Sequence, residues 1–108
     1  MSRSMPRREH ADALALAVGR RIRALRVSAG LTMEKLAYES ALGSKGHLSN
    51  IEKGLVRPTV HTLKAVADHL GVLPLDLLTF PDDDLRQALI DQTRHLPAPA
   101  LQKLRREA

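Results

Sequence analysis

The chain has no cysteine and no tryptophan, and Tyr38 and Phe80 are its only tyrosine and phenylalanine. Without cysteine there are no disulfides and no thiolate chemistry, a pattern that fits a reducing cytosol. No apolar run approaches the roughly 20 residues needed to cross a bilayer. The opening Met-Ser-Arg-Ser-Met-Pro-Arg-Arg has no apolar signal core behind it, because Glu9, His10 and Asp12 follow. A cytoplasmic protein is expected. The chain also lacks alternating strand patterns, internal repeats and low-complexity stretches. It has no phosphate-binding loop, no dinucleotide fingerprint, no Ser-His-Asp arrangement around Ser40 or Ser44 and no paired carboxylates in a cleft, which argues against an enzyme.

What is present is helix-forming and unevenly charged. The 108 residues give room for one domain, and 44% apolar content supports a folded core. Ala and Leu dominate, which favours helices over sheets. Residues 1–60 hold 11 Lys/Arg against 5 Asp/Glu, net +6, whereas residues 61–108 hold 6 against 7, net −1. A basic half beside a neutral half suits a polyanion on one face.

Periodicity and caps divide the chain. Residues 1–10 read as a polar, Arg-rich arm. A helix from about Asp12 carries Leu14, Val18, Ile22, Leu25 and Ala29 on one face, with Arg20, Arg21 and Arg23 mostly off it, and stops at Gly30. Thr32 caps a short helix that turns Leu36 and Ala37 inward and sets Tyr38 partly buried beside the core. Gly43 and Ser44 interrupt, and Ser44 caps a third helix with Leu48 and Ile51 inside, ended by Gly54. Leu55-Val56-Arg57-Pro58 is a loop. Thr59 caps a fourth helix with Leu63, Val66, Ala67 and Leu70. Pro74–Leu78 forms a fifth. Asp82, Asp83 and Asp84 open a sixth to about Arg94, with Leu85, Leu89 and Ile90 inward, and the chain from Ala100 can form one more.

The third helix carries the chemistry. With Leu48 and Ile51 inward, Lys45, Gly46, His47, Ser49, Asn50 and Lys53 lie on or beside its outer face, and all are short and polar or basic. Lysine donates to guanine acceptors and asparagine pairs in two places with adenine, so such a helix can enter a major groove.

These pieces, in their order, resemble the Cro/lambda-repressor-like helix-turn-helix proteins of the XRE type. The matching segments are Gly19–Arg26, Gly30-Leu31-Thr32 with Glu34-Lys35-Leu36-Ala37, Leu48–Gly54, Arg57-Pro58-Thr59 with Leu63, Ala67 and Leu70-Gly71-Val72, and Asp76-Leu77-Leu78. The resemblance spans about residues 15–79. It implies base contacts from Lys45, Gly46 and Asn50, with His47 and Ser49 as neighbours. It implies phosphate contacts from Thr32, Ser44, Lys53 and Arg57, and a partly buried ion pair between Arg26 and Glu52. Three positions depart from the pattern. Met33 replaces a glutamine that reaches phosphate and braces a recognition side chain. The turn at Ala41-Leu42-Gly43 is one residue longer than the commonest form. Gly46 offers only backbone where a base-reading side chain is frequent.

Blander readings of other features are stronger. His61 and His69 are eight apart, not the four apart of helical metal ligands, and no metal or cofactor is implied. Asp82, Asp83 and Asp84 suit the positive end of a helix dipole. The sequence therefore predicts an all-α chain: a basic arm over 1–10, a compact five-helix domain over 11–80, and one or two further helices over 81–108. The expected function is sequence-specific binding of double-stranded DNA at a pseudo-palindrome, as a repressor associated with the nucleoid. A homodimer is expected through Leu85, Leu89, Ile90, Leu96, Leu101 and Leu104. Two alternatives stand beside it: an antitoxin that binds a toxin through 82–108, and a protein-interaction adaptor on the same fold.

Overall fold

A computed structural model describes residues 12–108; the arm at 1–10 lies outside the described residues. Among them every regular element is an α-helix: α1 (Ala13–Ser28), α2 (Met33–Glu39), α3 (Lys45–Glu52), α4 (Val60–Leu70), α5 (Pro74–Leu77), α6 (Leu85–Thr93) and α7 (Ala98–Glu107). None is long and apolar enough to cross a membrane. The fold is all-α, with two helices following the first five.

Each of the first four helices starts at a side chain that accepts from its otherwise orphaned N–H groups. The Asp12 carboxylate accepts from Leu14 and Ala15 at 2.9 and 3.1 Å. Thr32, Ser44 and Thr59 each accept through their hydroxyl from the residue three positions on, all at 3.1 Å. Between α2 and α3 the chain turns through two left-handed residues, Ala41 (φ 55°) and Gly43 (φ 88°). Gly43 takes that conformation freely, whereas Ala41 bears a Cβ penalty.

The described residues divide into two units, 12–78 and 79–108. In the first, α3 packs on α1 and α2, while α4 packs on α2 and α5. Ile22, Leu36, Leu48, Ile51, Val66 and Leu77 are wholly buried there. Fully burying each such side chain contributes about 1.5–3 kcal/mol. Two glycines set how closely α1 and the end of α3 approach. A Cβ on Gly19 would lie 2.3 Å from the Ile51 carbonyl oxygen, and one on Gly54 would lie 2.6 Å from Leu16 Cα. Gly54 also sits at φ +76°.

In four places this unit departs from the periodicity, the first being Ala29, which falls beyond α1 as its C-cap and is exposed. Leu14 is 60% exposed, because it stands on the first turn of α1, short of the α3 crossing, and only lines an open cleft with Val18, Pro58 and Leu63. Arg21 is buried, not off the core stripe, and its Nε donates to the Asp76 carbonyl at 2.8 Å. That bond satisfies the Nε–H and ties α1 to α5. Asp76 in turn accepts from the Leu73 N–H at 2.8 Å, closing the first turn of α5. Tyr38 is 87% exposed, because it follows the buried Leu36 and Ala37 by one more 100° step and rotates out of the core.

The second unit is built differently. Asp84 caps α6 by accepting from Gln87 at 2.8 Å, and Gln87 accepts from the Phe80 N–H at 2.7 Å. No residue of α6 or α7 is buried. Leu85 and Leu89, expected inward, are exposed, and Ile90 is half-buried. Two short helices cannot enclose a core of their own.

Candidate nucleic-acid interface

The α3 helix has two faces of opposite character. Leu48, Ile51 and Glu52 are buried. Lys45, Gly46, Asn50 and Lys53 are exposed; Gly46, Asn50 and Lys53 follow at the four- and three-residue spacings that share a helix face, and Lys45 stands one step before Gly46. Ser49 is half-buried on the edge of that face. His47 is half-buried at the shoulder, since it stands four residues before the buried Ile51.

The inner face is anchored by charge as well as by leucine. Arg26 donates to Glu52 in a two-pronged pair, Nε to Oε2 at 2.7 Å and Nη2 to Oε1 at 3.1 Å, with side-chain exposures of 9% and 5%. Its Nη1 donates to the Leu31 carbonyl at 2.9 Å. One guanidinium thus joins α1, α3 and the entry to α2. Planar, doubly bonded pairs of this kind fix geometry as well as energy, so the angle at which α3 presents its outer face is held from behind.

Thr32 and Ser44 are exposed residues at the N-termini of α2 and α3. Both helix ends direct a partial positive charge outward, which favours an anion, although at α2 the Glu34 carboxylate already takes its own N–H. Lys53 lies at the far end of α3, and Arg57 in the loop after it. Arg57 Nη2 lies 2.8 Å from Asp12 Oδ2, although Arg57 itself is largely exposed. The N–H of Ala15 is the chief cause that holds the Asp12 carboxyl below its ordinary range; the Leu14 N–H and Arg57 add to it.

Lys45 has a partner that the sequence did not point to. Its Nζ lies 3.1 Å from Glu34 Oε2, on the first turn of α2. Between α2 and the start of α3 lies a cleft of about 480 Å³ whose walls include Glu34, Tyr38, Ala41, Ser44 and Lys45. No periodic pattern links positions 34 and 45, and only the folded turn brings them together. Met33, half-buried, begins α2. A thioether in place of an amide offers no donor for a phosphate. Gly46 has open space around it, with Ser44 Oγ the nearest atom to an added Cβ, at 3.8 Å.

The leucines of the second unit form a separate feature. Leu85, Leu89, Leu96, Leu101 and Leu104 are all exposed on or beside α6 and α7.

A family model described as a helix-turn-helix domain matches residues 17–80. The chain is 39% identical over 66 residues to an HTH-type transcriptional regulator, y4dJ, of Sinorhizobium fredii, covering 61% of this chain and 84% of that protein. It is 40% identical over 57 residues to the immunity repressor protein of Bacillus phage phi105, covering 53% of this chain. The match spans 39% of that repressor's length. The crystal structure of the clp gene regulator ClgR from Corynebacterium glutamicum is similar at a TM-score of 0.59 and 26% identity, over 91% of this chain and 88% of that one.

Proposed function

From the premise that this chain belongs to the helix-turn-helix family of DNA-binding transcription regulators, of the XRE type, we propose that it binds a pseudo-palindromic operator as a dimer and represses transcription from it. Such regulators are not enzymes. The observation that carries the reading is the two-faced α3: a polar, small and basic outer face on a helix held rigidly from behind by Arg26 and Glu52.

In this reading α3 lies in the major groove. Lys45 donates to guanine N7 and O6, and Asn50 pairs with adenine N6 and N7. His47 and Ser49 reach neighbouring base edges from the shoulders of the face, and Gly46 lets the backbone approach closely. The N-termini of α2 and α3, with the Thr32 and Ser44 hydroxyls, hold phosphates on one side of the groove, and Lys53 and Arg57 hold them on the other. Those contacts set register and orientation, and the base edges set specificity.

One recognition helix spans too few base pairs for a useful site, so two copies reading half-sites about one helical turn apart are required. The exposed leucines of α6 and α7, with Ile90, are assigned to that self-association. The ClgR match covers a larger share of this chain than residues 1–78 occupy, which supports treating the C-terminal helices as part of the regulator. Repression follows the phage relative's name, and action at the nucleoid follows from the ligand.

Affinity selection of random duplexes at near-physiological salt, followed by sequencing, tests the proposal. Enrichment of a pseudo-palindrome is the expected result, its centre-to-centre spacing giving the dimer geometry. Binding without enrichment that fades as salt rises contradicts it, because charge alone produces that behaviour.

A further inference from the structure

A DNA-reading surface gains affinity from every cation it directs at phosphate, but that gain carries no sequence information. One carboxylate on this surface opposes it. Glu34 Oε2 is 3.1 Å from Lys45 Nζ, and the two residues are eleven apart in the chain. Both side chains are more than half exposed, so the pair faces solvent. Exposed pairs of this kind add little to stability. Nor is Glu34 needed as a cap, because Thr32 already caps α2.

The contrast with Asp12 is instructive. That carboxylate also meets a cation, Arg57, but it is committed to capping α1, so its place is explained by the fold. Glu34 bonds its own backbone N–H and Lys45, which together hold its carboxyl below the ordinary range.

We propose that Glu34 is a positioning residue for base recognition: it holds the Lys45 ammonium over base edges and away from phosphates, so that Lys45 discriminates between sequences instead of adding general affinity. The proposal rests on the reading of α3 as a recognition helix. A lysine ammonium has three donors. Glu34 takes one and leaves two for guanine N7 and O6, so the target is a G·C pair at the position that Lys45 reads. The Glu34 charge also repels a backbone phosphate that would otherwise draw Lys45 aside.

The test is Glu34→Gln in the full chain, which keeps shape and removes charge. Binding is measured on a selected duplex and on a random duplex across a salt series. Labelled DNA gives one readout, and the chain's single tyrosine, Tyr38, gives a second from within the same cleft. E34Q is expected to bind random duplex several-fold more tightly. Its log K against log salt should steepen by about 1, the mark of one more phosphate contact. The selected-to-random ratio should fall about tenfold, within the range of one good base contact. In a Lys45→Gln background the same change should no longer alter the selected-to-random ratio. An unchanged ratio and slope, or equal weakening on both duplexes, overturns the role of Glu34 and leaves the recognition-helix reading intact. A wild-type protein that discriminates between no duplexes overturns both.

Discussion

Residues 12–78 and residues 79–108 are both helical and both rich in leucine, yet every buried leucine lies in the first segment, which also leaves Leu14, Leu55, Leu73, Leu75 and Leu78 exposed. Every buried apolar residue lies within Ala15–Leu77, whereas Leu85, Leu89, Leu96, Leu101 and Leu104 are exposed. The difference lies in the partners and not in the pattern. The α1 stripe is covered because α3 crosses it at Gly19, where the absence of a side chain lets the backbones meet. The two C-terminal helices have no such crossing, and their periodic leucines remain available to a second protein surface. Amphipathic periodicity identifies a face that wants cover; it does not say whether the cover is in the same chain.

Substitutions can break or sharpen that contrast. The largest effect should come from removing half of a buried pair. Glu52→Ala leaves the Arg26 guanidinium buried without its carboxylate and should cost about 3–5 kcal/mol in chemical denaturation; a cost under about 1 kcal/mol would mean that the anchor behind α3 is dispensable. Leu48→Ala should cost about 2–5 kcal/mol by the same measurement, through lost burial and a cavity. The matching change in the other region, Leu89→Ala, should leave unfolding of the isolated chain within about 0.5 kcal/mol. It should instead weaken self-association in sedimentation. A large loss of stability with L89A would show that the second region has a core after all.

Smaller effects distinguish the two faces of α3. Gly46 is helical, exposed and surrounded by open space, so Gly46→Ala should raise stability by about 0.5–1 kcal/mol while weakening DNA binding if the backbone approaches the groove. The same change at Gly19 would drive a Cβ into the Ile51 carbonyl and should unfold the chain. A gain at position 46 alone is the expected outcome of thermal melts. The smallest effect is acid sensitivity. Backbone N–H bonds chiefly depress the carboxyls of Asp12, by Ala15, and Asp84, by Gln87. A carboxyl depressed in the folded state stabilises it above the ordinary carboxylate range, near pH 4, and that stabilisation is lost as pH falls through the lowered value. Stability should therefore be flat from pH 7 to about 5 and decline below about 4. Asp12→Asn should flatten that decline in the main unit, whereas Asp84→Asn should alter only the helicity of α6.

Much of the fold was legible because local chemistry specified it. Thr32, Ser44 and Thr59 announce helix starts, and Leu36, Leu48, Ile51, Val66 and Leu70 recur at helical spacing. What escaped were contacts set by the fold as a whole. Arg21 looks like a surface residue until the Asp76 carbonyl is placed against it. Tyr38 looks like a core residue until the single step from Ala37 is drawn on a wheel. The candidate interface was legible as a set of residue types from Lys45 to Arg57, but its wiring was not. Glu34 reaches Lys45 and Asp12 reaches Arg57 across 11 and 45 positions, distances at which no pattern speaks.

The central claim is that the outer face of α3 reads base edges, and the most direct measurement repeats the random-duplex selection with Asn50→Ala beside the wild type. The account predicts that the enriched sequence loses its preference at one base pair in each half-site, worth about 1–3 kcal/mol, with an unchanged salt slope and the other positions intact. An identical enriched sequence, or uniform weakening on every duplex, would contradict it and place the reading of DNA elsewhere on the molecule.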